Sequence, residues 1–172
     1  IIFSKFFENN IFNKSFLSKI LERKTFDDHI VNISNEIGDK YESITDKNIF
    51  IDKMPSNFRY VALIRSALPE AKIIHTMRDP VANCWSNFKH YFSGNGLGYS
   101  YEVNDTVGYF KLYKDLMKYW DNIYSDQIYN LDYERLTTNQ EKETRKILNF
   151  IGLKWDKNCL FPHKNNRSVR TA

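Results

Sequence analysis

The stretch AKIIHTMRDPVANCWSNF, residues 71–88, decides the fold. Residues 71–77 form a short apolar run that is typical of a buried strand. Asp79 can then cap a helix, and Pro80 suits its first position because the missing N–H has no partner there anyway. The stretch therefore predicts a strand that passes directly into a helix running to about Phe92, which is half of a βαβ unit.

Two further strands are predicted on either side of this stretch. Residues 49–51 form an apolar run that Pro55 stops, which predicts a buried strand, and residues 127–131 predict another. Apolar residues at helical spacing predict helices over residues 56–68, 107–124 and 139–151. Strands that alternate with such helices predict an α/β fold in which a parallel sheet is flanked by helices.

The remaining segments have weaker patterns. Residues 1–45 carry apolar positions at helical spacing and predict two amphipathic helices, with Thr25, Asp27 and Asp28 as start signals of the second. The glycine-rich stretch 93–102 does not fit G-x-G-x-x-G and follows a helix, so we interpret it as a mobile surface loop.

The composition narrows the class of protein. A length of 172 residues suits a single domain, and 42% hydrophobic residues with only 6 Gly and 4 Pro argue against disorder. The net charge of +4 suits an anionic ligand but falls short of a nucleic-acid-binding stripe. Cys84 and Cys159 lack metal-ligand spacing, and we interpret them as reduced thiols of a cytoplasmic protein. No apolar run approaches the ~20 residues of a membrane span.

Three polar residues follow the three predicted strands. Lys53 comes after the first, Arg78 after the second and Tyr133 after the third. In a parallel sheet, ligands bind outside the carboxyl ends of the strands, where the connecting loops and helix N-termini gather. Each residue alone would be an ordinary surface residue, but together they predict a ligand site at one edge of the sheet.

Arg78 and Ser86 suggest how that site would hold an anion. Arg78 stands beside a helix N-terminus, where free N–H groups and the helix dipole favour negative charge, and its planar guanidinium matches a phosphate. Ser86 lies about 9 Å up that helix by the rise per residue, within reach of the same group. The alternative is that Arg78 pairs with Asp79 or another carboxylate while Ser86 faces solvent.

Four blocks of the chain carry a resemblance to a known family. They are IDKMPSNFRYVALIRSALPEAKIIHTMRDPVANCWSNF (51–88), IYNLDYERL (128–136), WDKNCLFPH (155–163) and NNRSVRTA (165–172). In this order they resemble the sulfotransferases that depend on PAPS (3′-phosphoadenosine 5′-phosphosulfate), specifically the bacterial branch often fused to tetratricopeptide repeats. The resemblance covers residues 46–172 and implies part of the P-loop nucleoside triphosphate hydrolase-like sulfotransferase fold.

The resemblance implies roles for individual residues. In this family the arginine of the R-D-P turn and the serine eight residues later hold the 3′-phosphate of PAPS, which implies Arg78 and Ser86 here. The tyrosine of a Y-E-D-L motif contacts the adenine, which implies Tyr133, although this chain reads Y-E-R-L. A lysine shortly before a proline lies near the transferred sulfuryl group, which implies Lys53.

The two ends of the chain depart from the family pattern. The tail 157–172 has four basic residues and no acidic one. It includes Arg170, which we expect to bind the cofactor if the tail closes over the 3′-phosphate; a solvated end is the alternative.

The phosphosulfate loop of the family, P-R-S-G-T-T, matches nothing in residues 1–45. We therefore expect one sulfotransferase-like domain over residues 1–172 that is cut at both ends and is inactive by itself.

The expected reaction is in-line attack of an acceptor hydroxyl on the sulfur of PAPS, which releases adenosine 3′,5′-bisphosphate. Charge grows on the bridging oxygen of the leaving phosphate, and Lys53 is the predicted catalytic cation there. No cluster has metal-ligand spacing, so no metal is expected. The identity of the catalytic base is not predicted, because no histidine follows Lys53 as it does in the family's K-T-H motif. His75 is interpreted as a packed or hydrogen-bonded strand residue, and Asp52 would point to the opposite face from Lys53.

Two other functions stay open. The first is a sulfotransferase-like remnant without turnover that serves as a binding or assembly module, which the missing loop favours. The second is a nucleotide kinase of related topology, which the absence of G-x-x-x-x-G-K-[ST] weakens. The expected partner is a hydroxyl-bearing acceptor of undefined class, and neither nucleic acid nor a membrane is expected as a partner.

Overall fold

The structure is a computed structural model that describes residues 23–44, 49–92 and 96–164. Its helices are α1 (Arg23–Ile44), α2 (Val61–Ala67), α3 (Pro80–Phe88), α4 (Val103–Ile123), α5 (Tyr133–Thr138) and α6 (Gln140–Ile151), and its strands are β1 (Ile73–Met77) and β2 (Ile128–Asp132). Short 3₁₀ turns cover Pro55–Tyr60, Gly98–Tyr101, Lys157–Leu160 and Pro162–Lys164.

The sheet of the described chain is a parallel pair of strands. β1 and β2 are aligned from Ile73 opposite Ile128 to Met77 opposite Asp132. Two helices, α3 and α4, lie between the strands in the sequence, which confirms the predicted βαβ connection. The parallel sheet with helices also agrees with the predicted α/β class, because a parallel pair needs a long crossover rather than a hairpin.

The chain divides into two compact units. The first comprises Ile1–Ala71 and Asp115–Trp120. Its buried apolar residues are Ile37, Tyr60, Val61, Ala67 and Met117. α1 packs on α2, and the indole N–H of Trp120 donates a hydrogen bond of 2.8 Å to the carbonyl of Phe58. Side chains of α1, α2 and α4 and of the 3₁₀ turn Pro55–Tyr60 therefore form the core of this unit.

The second unit comprises Lys72–Lys114 and Asp121–Ala172, and it contains the sheet. Ile128 and Leu131 of β2 are buried, and α6 packs along β2. α6 ends at Gly152, whose φ of 75° is a left-handed conformation that glycine adopts without steric cost. Both strands and the helices that follow them are thus held within one unit.

The strand predicted at residues 49–51 is wrong. These residues have no regular secondary structure, and Ile51 is 90% exposed. A three-residue apolar run forms a strand only where a neighbouring strand supplies hydrogen bonds, and the sheet of the described chain contains β1 and β2 alone. Lys53 therefore lies in an irregular segment and not at the carboxyl end of a strand.

Two boundaries and one loop also differ from the prediction. α3 ends at Phe88 rather than near Phe92, and the helix predicted from residue 56 begins as a 3₁₀ turn. Within the predicted surface loop, Ser100 is fully buried and its hydroxyl donates to the Leu97 carbonyl. The described part of that loop, residues 96–102, is therefore anchored by internal hydrogen bonds.

The second of the predicted N-terminal helices is confirmed by α1, whereas the first falls outside the described residues. Cys84 and Cys159 are both free thiols, as predicted. None of the helices in the described chain is long and apolar enough to cross a membrane.

Candidate functional site

Both strands of the sheet end in the same local structure. The Asp79 carboxylate follows β1 and accepts a hydrogen bond of 2.8 Å from the N–H of Ala82. The Asp132 carboxylate ends β2 and accepts one of 2.8 Å from the N–H of Arg135. Each aspartate caps the helix that follows, as its side-chain oxygen replaces a missing backbone acceptor. Since the strands are parallel, the two capped turns meet at one edge of the sheet.

Arg78 and Tyr133 are brought together at this edge. Met77 lies opposite Asp132, so the next residues in the same register are Arg78 and Tyr133. The guanidinium carbon of Arg78 lies 5.7 Å from the centroid of the Tyr133 ring, within the range of a cation–π contact. Both side chains are exposed, so this pair is open to a ligand.

A cleft of about 350 Å³ lies at the same place. It is lined by Met77, Arg78, Asp79, Pro80, Asp132 and Glu134. All six residues come from the ends of β1 and β2, from the turn that follows β1 and from the first residues of the helices that follow. The cleft is thus a product of the parallel pairing, as expected for α/β proteins.

The carboxylates of the cleft are engaged with backbone groups and not with Arg78. Asp79 and Asp132 cap helices, and Asp132 also lies 3.6 Å from Arg135. Glu134 accepts a hydrogen bond of 3.2 Å from the N–H of Asp79. Arg78 has no ion pair with any residue of the described chain. The alternative in which Arg78 pairs with Asp79 is not what the structure shows, and the charge of Arg78 is available to an anion.

The N-terminus of α3 offers fewer N–H groups than the sequence predicts. Pro80 has none, and the N–H of Ala82 donates to the Asp79 side chain. The N–H of Asn83 already donates to the Asp79 carbonyl at 2.9 Å. Because these donors are used inside the helix, they are not available to an anion in this cleft, and Arg78 supplies its positive charge.

Ser86 lies on α3 and is half-buried. It does not line the cleft. It lies six positions after Pro80, which corresponds to about 9 Å along a helix. The structure therefore places Ser86 on the helix that begins at the cleft, but more than one turn beyond its start.

Lys53 does not line this cleft. Lys53 is exposed and belongs to the first unit, whereas the cleft belongs to the second. Arg170 lies outside the described residues. The structure thus brings together two of the five predicted site residues, Arg78 and Tyr133, and keeps Ser86 on the adjoining helix.

His75 belongs to a hydrogen-bonded network behind the cleft. His75 lies opposite Asn130 in the sheet. Because side chains two positions apart in a strand lie on the same face, this pair shares a face with Met77 and Asp132. The Asn130 amide donates to Asp121 at 3.0 Å, which directs its oxygen to Nδ1 of His75 at 2.6 Å. Nδ1 therefore carries the proton, and Nε2 accepts a hydrogen bond from the Tyr113 hydroxyl.

This network confirms the interpretation of His75 as a hydrogen-bonded strand residue. Both of its ring nitrogens have hydrogen-bond partners within the described chain. Burial, with a smaller effect from the charge of Asp121, raises the pKa of Tyr113 above its ordinary value of 10.0. The Tyr113 hydroxyl consequently stays protonated and continues to donate to His75 at neutral pH.

Sequence reasoning missed Glu134 and Asp132 as cleft residues. The signal was the similarity of the two strand ends, because an aspartate follows or ends each strand and a helix begins at the next residue. Extending the register of β1 and β2 past the last pair would have placed Glu134 opposite Asp79.

Comparison with known proteins identifies the family of the chain. A family model described as "Sulfotransferase family" matches residues 6–157. An uncharacterized protein of Aquifex aeolicus (strain VF5) is 34% identical over 124 residues, which cover 71% of this chain and 16% of that protein. No solved structure matches the chain. Because the family model covers most of the sequence, including both strands and the cleft, the chain belongs to the sulfotransferase family.

Proposed function

We propose that the chain binds PAPS and takes part in transfer of its sulfuryl group to an acceptor hydroxyl. Membership of the sulfotransferase family supports sulfuryl transfer as the reaction class. One structural observation carries the choice of donor site: Arg78, without an ion pair in the described chain, lies over Tyr133 at the carboxyl edge of a parallel sheet. An unpaired cation beside an exposed aromatic ring suits a ligand that combines a phosphate with a base.

In this proposal Arg78 holds the 3′-phosphate. Its planar guanidinium can donate two parallel hydrogen bonds to phosphate oxygens, which makes the contact both strong and directional. Tyr133 supports the guanidinium and presents its ring to the adenine, since every base has a π-face on which an aromatic side chain can stack. Ser86 and Arg170 are further proposed contacts to the phosphate group.

The proposed chemistry is an in-line substitution at sulfur. The acceptor oxygen forms a bond to sulfur while the bond from sulfur to the bridging phosphate oxygen breaks, and the acceptor proton is lost to a base. Adenosine 3′,5′-bisphosphate leaves with the electron pair. Lys53 is the proposed cation for the charge that develops on the bridging oxygen, because it is exposed and pairs with no acidic residue of the described chain.

A binding module without turnover is the second candidate. Nothing in residues 1–45 resembles the P-R-S-G-T-T loop that holds the 5′-phosphosulfate in the related enzymes. The chain also spans only 16% of the length of its Aquifex relative, so the activity of a whole protein is a separate proposal. A binding module would retain the Arg78–Tyr133 pair and bind the nucleotide without transferring sulfur.

Binding and transfer measured side by side separate these candidates. Adenosine 3′,5′-bisphosphate should raise the melting temperature of the chain, because a ligand that binds only the folded state stabilises it. Adenosine 5′-monophosphate, which lacks the 3′-phosphate, is the matched control and should have a smaller effect. Equal shifts from both nucleotides would remove the 3′-phosphate clamp from the proposal. Transfer of labelled sulfur from PAPS to a hydroxyl acceptor would exclude the binding module.

A further inference from the structure

We propose that Glu134 is a positioning residue, which fixes the turn that carries Arg78 and so sets the strength of anion binding in the cleft. The inference rests on the proposed function, because it concerns the 3′-phosphate contact of Arg78. It adds a residue that lines the cleft but has no hydrogen bond or ion pair with Arg78 within the described chain. The contact that carries it is the hydrogen bond from the Asp79 N–H to the Glu134 carboxylate.

This hydrogen bond continues the strand pairing past the end of the sheet. The last aligned pair is Met77 with Asp132, and the next two positions pair Arg78 with Tyr133 and Asp79 with Glu134. Beyond Met77 the backbones diverge into α3 and α5, so backbone-to-backbone hydrogen bonds end there. A carboxylate side chain spans the gap and accepts the Asp79 N–H at 3.2 Å.

The position of this contact explains its effect on Arg78. Asp79 directly follows Arg78, and Glu134 directly follows Tyr133. A hydrogen bond between residues 55 positions apart therefore joins the peptide N–H that follows Arg78 to the side chain of the residue that follows Tyr133. Without it, the remaining hydrogen bonds of Asp79 within the described chain, from the N–H groups of Ala82 and Asn83, tie the turn to α3 alone and not to the end of β2. A turn that samples more conformations would present the guanidinium to a phosphate less often.

The charge of Glu134 makes a sharp test possible. A carboxylate in the cleft repels an incoming phosphate, whereas its oxygen holds the turn. Glu134→Gln keeps an acceptor oxygen and removes the charge, while Glu134→Ala removes both. If the hydrogen bond matters more than the charge repulsion, the Glu134→Gln variant should bind adenosine 3′,5′-bisphosphate at least as tightly as the unmodified chain. The Glu134→Ala variant should bind it about twofold to tenfold more weakly, the range expected for loss of one hydrogen bond.

A double-mutant cycle with Arg78→Ala identifies the route of the effect. If Glu134 acts through Arg78, the Glu134→Ala loss should disappear once Arg78 is alanine, because there is no guanidinium left to position. Glu141→Ala is the matched control, as Glu141 is an exposed carboxylate on α6 that pairs with Arg145 away from the cleft. It should leave nucleotide binding unchanged.

The outcomes are distinguishable. Hydrogen exchange of the Asp79 amide should accelerate in Glu134→Ala and much less in Glu134→Gln, while the melting temperatures without ligand stay close to that of the unmodified chain. Unchanged nucleotide affinity in Glu134→Ala, or an equal loss of affinity in the Arg78→Ala background, would overturn the role of Glu134 and leave the proposed function standing. Failure of the unmodified chain to bind adenosine 3′,5′-bisphosphate would contradict both the proposed function and the role of Glu134.

Discussion

The guanidinium carbon of Arg78 lies 5.7 Å from the ring centroid of Tyr133, although 54 residues separate the two in the chain. The parallel register of β1 and β2 produces this proximity, because it aligns the residues that follow each strand. A second arginine, Arg145, lies 3.8 Å from the ring centroid of Trp155, but Glu141 also pairs with it at 2.7 Å. The difference is the absence of an acidic partner for Arg78 within the described chain.

Replacing Arg78 should weaken nucleotide binding more than replacing any other described residue of the cleft. Arg78→Ala removes charge-assisted hydrogen bonds worth about 1.5–3 kcal/mol, so the dissociation constant of adenosine 3′,5′-bisphosphate should rise at least tenfold. Calorimetric titration measures this. Arg145→Ala is the control, because it removes an arginine from an aromatic ring outside the cleft. Equal losses in the two variants would show that Arg78 has no special role.

The ring of Tyr133 should matter more than its hydroxyl. Tyr133→Phe keeps the stacking surface and should bind adenosine 3′,5′-bisphosphate nearly as well as the unmodified chain. Tyr133→Ala should lose about 1–3 kcal/mol, the range for one stacked base. Ribose 3-phosphate, which has no base, should lose less affinity than the nucleotide between Tyr133→Phe and Tyr133→Ala, because only the support of the Arg78 guanidinium is removed. A loss in Tyr133→Phe as large as that in Tyr133→Ala would instead assign the contact to the hydroxyl.

Lys53 should affect turnover and not donor affinity. In a form of the protein that transfers sulfuryl groups, Lys53→Ala should lower kcat by ~10²–10³, because it removes a charge that acts mainly in the transition state. Lys53→Arg should restore part of the rate, since a guanidinium places its charge differently from an ammonium. A transfer assay with labelled PAPS measures both variants. Turnover at the unmodified rate in Lys53→Ala would leave Lys53 without a catalytic role.

Alkaline pH should weaken the fold partly through Tyr113. The folded-state pKa of this residue is raised, chiefly by burial, so the folded state favours the neutral phenol. Its contribution to stability is fully present below the unfolded-state pKa of 10.0 and is lost as the pH rises through the higher folded-state value. Tyr113→Phe cannot ionise, and its free energy of unfolding should fall less steeply between about pH 9 and about pH 11.

Denaturant titrations across this pH range test the prediction. At neutral pH, Tyr113→Phe should be about 0.5–1.5 kcal/mol less stable, because it loses the hydrogen bond to His75. Tyr119→Phe, at a position that is 55% exposed, serves as the control and should keep the alkaline slope of the unmodified chain. Identical slopes in the unmodified chain and Tyr113→Phe would contradict the assignment.

Local patterns were enough to predict most of the secondary structure. The strand at 73–77, the Asp79 cap with Pro80, and the strand at 128–132 each depend on neighbours within a few residues. Apolar runs, caps and prolines act at that range, so the chain itself determines them. The end of each strand and the start of the helix that follows it also suffice to place Arg78 and Tyr133 at the carboxyl ends of their strands.

What followed from the sequence alone was therefore the type and order of these elements, together with the residues at each strand end. The tertiary structure decided which apolar runs become strands, since residues 49–51 have no partner strand in the described chain and stay irregular. It also decided that Arg78 stays unpaired among the described residues and that Glu134 bonds to Asp79. These outcomes depend on contacts between residues far apart in the chain, which exist only once the two strands have aligned.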